Sequence, residues 1–259
     1  MSHTIDLNAD LGEGYGAYTY GADQQLLSLV TSANIACGWH GGDPGIMRRA
    51  AALARENNVT VGAHPGYPDR MGFGRRFLDM TPREVTDALL YQIGALEGIC
   101  RSVGTAMAYV KPHGALYNAA ARDAALAEAV AEAVRLFSAG LFLLCPAGSE
   151  MERAALAVGI PVAREFFADR AYRRDGSLVP RGEPGAVISE PELICRRVLR
   201  AVQEGMVEAV TGEPVAVKLD SICLHGDNPA AAALACRIRE VLVENGVALK
   251  PFAGGYHGR

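Results

Sequence analysis

Residues 32–44 read SANIACGWHGGDP. An apolar run ends at Cys37, the glycines 38, 41 and 42 surround a lone His40, and Asp43-Pro44 supplies a helix cap followed by proline at the first helical position. This is a strand that turns into a helix with an imidazole at the turn. The unit recurs. Short runs rich in Val, Ile, Leu and Ala stand at TIDLN (4–8), ANIAC (33–37), VTVGA (59–63), MAYVK (107–111), LFLLC (141–145), PVAREF (161–166) and SICLH (221–225), with VALKPF (247–252) as a further candidate. Helical patterns fill the gaps. Their start signals are the capping box Thr81-Pro82-Arg83-Glu84, a second box of Ser189 with Glu192, and Asn228-Pro229, while 123–137 is nearly all Ala, Val, Leu and Glu. Such alternation predicts a parallel sheet with helices outside it. Seven or eight strands in 259 residues favour one α/β domain over 1–259, closed as a barrel, above an open doubly wound sheet.

Three segments break the rhythm. Residues 64–80, HPGYPDRMGFGRRFLDM, and 168–188, ADRAYRRDGSLVPRGEPGAVI, are long loops rich in Gly, Pro and Arg, and loops of this length in a compact domain usually carry function. VEAVTGEPVAVKL (207–219) reads as a β-hairpin about TGEP.

Composition excludes several classes. The net charge is −4 and the basic residues are scattered without a block interleaved with aromatics, so nucleic acid is not an expected partner. The longest apolar runs, such as AGLFLLC, are too short to span a bilayer, so no membrane is expected either. MSHTIDLNAD lacks a charged start followed by an apolar stretch, so no secretory signal is read and a cytoplasmic location is expected. The six cysteines are widely spaced with no CxxC, which predicts reduced thiols; Cys37 and Cys223 lie closest to candidate site residues.

The polar residues fall at one end of the predicted strands. Asn8, Asp10 and Glu13 follow the first run, His40 and Asp43 the second, and His64 and Asp69 the third. Lys111, His113 and Asn118 come at and after the fourth; Glu165 lies in the sixth, followed by Asp169 and Arg170; His225, Asp227 and Asn228 end the seventh. Four of the six histidines thus sit at strand C-termini, and in a parallel barrel those ends share one rim. Asp43 and Asn228 are also explained as helix caps. The joint pattern predicts a site, and its parts suit two chemistries. Histidine with carboxylate serves general acid–base catalysis. Asp10, His40 and His64 also form a candidate facial metal triad, although no HxxxH or HExxH pair supports it locally. Lys111 and His113 alternate at a strand end and could hold an oxyanion or phosphoryl oxygen, and Arg70, Arg75, Arg76 and Arg170 could clamp a carboxylate or phosphate. There is no GxxxxGK[ST] phosphate loop.

NADLGE (8–13), SANIACGWHGGDP (32–44), GAHPGYPD (62–69), GFGRR (72–76), VKPHGALYN (110–118), FADRAY (167–172), GSLVPR (176–181) and SICLHGDNP (221–229) together resemble the LamB/YcsF family, in the same order along nearly the whole chain. Trp39 stands where phenylalanine is common in that family, and Tyr15 lies in a loop that varies. That family comprises the A subunits of ATP-dependent bacterial 5-oxoprolinase. The resemblance implies a seven-stranded β/α (TIM-like) barrel of the glycoside hydrolase/deacetylase type. It implies a reaction in which 5-oxo-L-proline, ATP and water give L-glutamate, ADP and phosphate, with ATP as co-substrate and subunits B and C as partners. It leaves open a divalent metal, carried with the ATP or held at the site. The chemistry of that reaction suggests Asp10 as general base, Lys111 and His113 as stabilisers of negative charge, and His40, His64 or His225 for proton transfer. Glu13, Arg75, Asn118, Asp169 and Arg170 are the expected substrate contacts. Two rival readings are a metal-dependent amide or carbohydrate deacetylase and a non-catalytic lactam-binding subunit.

Overall fold

Residues 3–18, 20–224 and 231–254 are described by the structure, a computed structural model. In chain order its elements are β1 (Thr4–Leu11), α1 (Asp23–Leu27), β2 (Ser32–Ala36), α2 (Pro44–Glu56), β3 (Thr60–His64), α3 (Pro82–Val103), β4 (Met107–Val110), α4 (Gly114–Ala120), α5 (Ala124–Phe137), β5 (Phe142–Pro146), α6 (Glu150–Ala157), β6 (Val162–Phe167), α7 (Pro191–Glu204), β7 (Met206–Glu208), β8 (Pro214–Ala216), β9 (Ser221–Leu224), α8 (Ala231–Glu244) and β10 (Ala248–Leu249). The strands β1-β2-β3-β4-β5-β6-β9 pair in parallel, and β9 pairs back onto β1, closing the expected seven-stranded barrel. The candidate eighth strand within 247–252 is only the short β10, which pairs with Thr4 and Ile5 at the start of β1, outside the ring. The TGEP hairpin is present as β7 and β8.

The helix starts follow their caps. Asp43 accepts from the backbone N–H groups of Gly45 at 2.8 Å and Ile46 at 2.9 Å, and Thr81 with Glu84 forms a full capping box. The expected box at Ser189 and Glu192 does not form. Helix α7 begins one residue later, with Glu190 at the cap position and Pro191 first in the helix, where its fixed φ is pre-set for the turn. Asn228-Pro229 lies outside the described residues.

Strand alternation sorts side chains into two sets. Ile5, Leu7, Ala9 and Leu11 belong to the main apolar core, which also takes the Val85, Leu89, Ile93 and Leu96 stripe of α3. Asp6, Asn8 and Asp10 alternate with them and turn inward. Strand β1 therefore runs three residues past the expected TIDLN, and Asp10 lies within the strand instead of after it. These polar residues continue the strand because side chains on the neighbouring strands β2 and β9 receive them. Asn8 Nδ2 donates to Ser221 Oγ at 2.7 Å, and Asn34 Nδ2 donates to Asn8 Oδ1 at 2.7 Å and to Asp10 Oδ1 at 2.8 Å. Below them the Tyr109 hydroxyl donates to Asn34 Oδ1 at 2.6 Å, and its ring crosses Gly62 so closely that a Cβ there would stand 2.1 Å from it.

Candidate active site

At the top of this inner column sits Lys111, just past the end of β4. Its ammonium group is buried against Asp10 Oδ1 at 2.9 Å, Glu165 Oε1 at 2.8 Å and Cys223 Sγ at 3.2 Å, with Asn8 Oδ1 at 3.5 Å. Burial works against its charge, but the carboxylates of Asp10 and Glu165 outweigh it and hold the lysine well above its ordinary range. The second Glu165 oxygen accepts from the Tyr117 hydroxyl at 2.6 Å. Cys223 remains a thiol: burial pushes it far up, and Lys111 only partly offsets that. Cys37, raised by burial to about 12, is likewise unreactive, and all six cysteines are unpaired thiols.

Beside this group lie three buried histidines and Glu13. His64 ends β3, and its Nδ1 lies 2.8 Å from the Lys111 carbonyl oxygen. His113 precedes α4, and its Nε2 lies 2.8 Å from the Phe73 carbonyl oxygen. His113 Nδ1 and His64 Nε2 face each other at 3.0 Å. His40 stacks on His113 with ring centroids 3.7 Å apart and planes at 1°, and its Nε2 meets Glu13 Oε1 at 3.3 Å. Ligand atoms of Glu13, His40, His64 and His113 all fall within 4.8 Å of one another. The grouping departs from the expected Asp10–His40–His64 triad: Glu13 and His113 join, while Asp10 is turned toward Lys111 and reaches only His64, at 3.4 Å. Burial, with His64 second, drives His113 down to about 3; burial and then His113 drive His40 far down as well. Near neutral pH both rings are therefore uncharged bases or ligands, not acids.

The 64–80 loop is pressed onto these rings. Asp69 ties it internally, accepting from Gly72 N at 2.9 Å and from Arg76 Nε at 3.0 Å. Phe73 adopts φ 54°, uncommon outside glycine, and this conformation aims its carbonyl at His113. Gly74 (φ 62°) leaves no room for a side chain, since a Cβ would lie 2.7 Å from the Cβ of His40. Thus Gly74 explains part of the glycine-rich sequence around the imidazoles.

A cavity of about 440 Å³ opens above this floor. Asp10, His64, Lys111 and His113 line its base, and Arg75, Arg122, Arg170 and Arg181 its walls. Among the expected substrate contacts, Arg75 and Asn118 line the cavity, and Asn118 also donates to the Gly114 carbonyl at 3.0 Å. Arg170 reaches the cavity while its guanidinium bonds the carbonyls of Val179 at 2.5 Å and Ala186 at 3.3 Å, holding the 168–188 loop in place. Arg76 is spent on Asp69, and Arg70 on the Gly38 carbonyl and the Tyr15 ring. Asp169 is buried less than Arg170 and does not line this cavity; its backbone carbonyl accepts from Ile188 N at 2.8 Å. His225 lies outside the described residues. The sequence pattern did not single out Asn34, Tyr109, Tyr117, Arg122 or Arg181, and it left Glu165 out of the site. A charged residue in the middle of an apolar strand was the available signal for Glu165.

A model of the LamB/YcsF family matches residues 5–256. The chain belongs to the LamB/YcsF family. Within 247 aligned residues it is 52% identical to a Pyrococcus abyssi protein named as the A subunit of 5-oxoprolinase, covering 95% of this chain and 97% of that one. It is 51% identical over 258 residues to the Methylococcus capsulatus protein of the same name, covering 100% and 99%. Among solved structures, the lactam utilization protein of Thermus thermophilus superposes with a TM-score of 0.92 at 48% identity, covering 95% of this chain and 99% of that one. A putative cellobiose-phosphate cleavage protein of Enterococcus faecalis shares the fold alone, at TM-score 0.54 and 14% identity over 97% and 98% of the chains. No helix among the described residues of this LamB/YcsF chain is long and apolar enough to cross a membrane.

Proposed function

We propose that the chain opens the five-membered lactam of 5-oxoproline to glutamate, as the A component of an ATP-dependent 5-oxoprolinase with subunits B and C. The observation that carries this reading is the Asp10–Lys111 pair at the floor of an arginine-walled cavity, with the buried Glu165 carboxylate also on Lys111. A small cyclic amide with one carboxylate suits that arrangement. Arg75, Arg122 and Arg181 offer charge-assisted hydrogen bonds to the carboxylate, and the volume is within the usual range for a small-molecule site. The full-length likeness to proteins named as the A subunit of 5-oxoprolinase supports the substrate class.

Lactams resist hydrolysis, and phosphorylation of the lactam oxygen by ATP would make that oxygen a leaving group. Asp10 takes a proton from water as the water oxygen bonds to the ring carbonyl carbon. The ring C–N bond breaks, Asp10 returns the proton to the departing nitrogen, and the γ-glutamyl phosphate so formed gives glutamate and phosphate when a second water breaks its carbonyl C–O(P) bond. Lys111 keeps Asp10 and Glu165 oriented, and its charge favours the negative charge that develops above it. These neighbours already engage it, so we assign it a positioning role in place of the direct oxyanion contact expected from sequence.

Reconstitution of the chain with subunits B and C tests the proposal. Glutamate release that needs all three chains and ATP is the expected result. A complete mixture that consumes ATP yet leaves 5-oxoproline intact, or a chain that alone releases acetate from N-acetylated sugars without ATP, would overturn it.

A further inference from the structure

The two histidines that face each other across the cavity floor cannot both be satisfied as neutral rings. A neutral imidazole carries one N–H and one bare nitrogen. His64 Nδ1 lies 2.8 Å from the Lys111 carbonyl and His113 Nε2 lies 2.8 Å from the Phe73 carbonyl, and each carbonyl can only accept. Both protons are therefore fixed on the outer nitrogens. In a pair of neutral rings the inner nitrogens, His64 Nε2 and His113 Nδ1, are then two lone pairs 3.0 Å apart in a buried site. Something positive belongs between them.

We infer that His64 Nε2, His113 Nδ1 and Glu13 Oε1 bind one divalent first-row cation of the zinc class. The spacing fits: bonds of about 2.0–2.1 Å at coordination angles of about 90–120° put ligand atoms about 2.8–3.6 Å apart. The two inner nitrogens are 3.0 Å apart, and His113 Nδ1 lies 3.6 Å from Glu13 Oε1. The rings of His64 and His113 stand at 87°, so one ion can lie in both planes. Each ring already gives its outer N–H to a backbone carbonyl, the arrangement that fixes tautomers in metal-binding histidines.

His40 is not a further ligand in this arrangement. Its ring is parallel to that of His113 at a stacking distance, so an ion in the plane of one lies well outside the plane of the other. Its Nδ1 has no hydrogen-bond partner among the described residues, which places its proton on Nε2. From there it donates to Glu13 Oε1 at 3.3 Å and orients the carboxylate. His40 is a positioning residue. Two imidazoles and one carboxylate leave coordination positions open, and His64 and His113 both line the cavity. Bound there, the cation would supply Lewis acidity toward a carbonyl or a water. This inference stands on the tautomers and not on the identity of the substrate.

The test uses the full chain, stripped with a chelator and titrated with Co²⁺ or Zn²⁺ alone. One equivalent per chain is expected, with a cobalt visible spectrum of mixed nitrogen and oxygen ligation. His64→Asn and His113→Asn should each abolish the equivalent, and His40→Asn should weaken affinity about 10–100-fold. His3→Asn, at the exposed N-terminal end, should match the parent. Nitrogen NMR of the stripped chain removes the ambiguity of a variant that misfolds: it should show bare His64 Nε2 and His113 Nδ1, both shifting on metal addition. A proton shared between those nitrogens, unchanged by a stoichiometric cation, would overturn the inference. So would full metal uptake by the His64 and His113 variants. Glutamate assays play no part in these readouts, so failure here is distinct from failure of the lactam reading.

Discussion

On β1, Leu7, Ala9 and Leu11 join the helices in the apolar core, while Asp6, Asn8 and Asp10 on the same strand hydrogen-bond to inward side chains of the neighbouring strands β2 and β9. Both faces are largely buried, Asp10 being the part-exposed end of the inner one, but they obey different rules. Outer-face residues act through volume and contact, and neighbours of similar size can replace them at modest cost. Inner-face residues act through pairing, and removing one member leaves the others without their partners in a largely buried site. The difference separates the side chains that hold the barrel together from those that give it chemistry. It also says how each face should fail.

The largest expected stability loss is on the inner face. Lys111→Met leaves the buried Glu165 and the part-buried Asp10 without their cation, and chemical denaturation should show about 3–5 kcal/mol of lost stability. A loss below about 1 kcal/mol would mean that the inner column is not a coupled unit. On the outer face, Leu89→Ala in α3 removes a fully buried side chain and should cost about 2–5 kcal/mol by its cavity. At temperatures where the variant is folded, its turnover should equal that of the parent, because Leu89 belongs to the apolar core and does not line the cavity. A turnover defect in the folded variant would blur the division between the faces.

A third effect is a pH slope carried by Asp6. Burial raises this carboxyl from 3.8 to about 6, against the hydrogen bonds that Ser221, Ser32 and Thr31 donate to it. A raised carboxyl favours the protonated folded state. Its contribution is fully present below pH 3.8 and is lost as pH rises to about 6, on the order of 3 kcal/mol. The parent should therefore lose stability relative to Asp6→Asn between about pH 4 and pH 7. A difference between the two proteins that stays flat with pH would contradict the placement of a charged-or-neutral carboxyl in the column.

The two faces were not equally legible in the sequence. The outer face announced itself through apolar runs and helix caps, and Asp43-Pro44 and Thr81 start helices as read. The histidines at strand ends pointed to the rim, where the structure brings His40, His64 and His113 together. The inner face was harder to see. A polar residue alternating in a strand ordinarily faces water, so Asn34 carried no sign that it faces a barrel axis, and Glu165 carried only its charge within an apolar strand. Asp10 was placed beyond its strand for the same reason. Arg70, Arg76 and Arg170 looked like substrate clamps because their acceptors, the Gly38 carbonyl, Asp69 and the 168–188 backbone, lie apart from them in sequence or are unremarkable there.

The central claim is that the inner column performs the reaction, with Asp10 as the group that moves the proton. The most direct measurement is glutamate release by the reconstituted complex carrying Asp10→Asn, read beside the melting temperature of the variant chain. Asn keeps an oxygen for Lys111 and has nearly the same volume. The expected result is a fall in turnover of about 10²–10⁴-fold with the melting temperature little changed. Turnover within a few-fold of the parent, from a variant that melts normally, would contradict the claim.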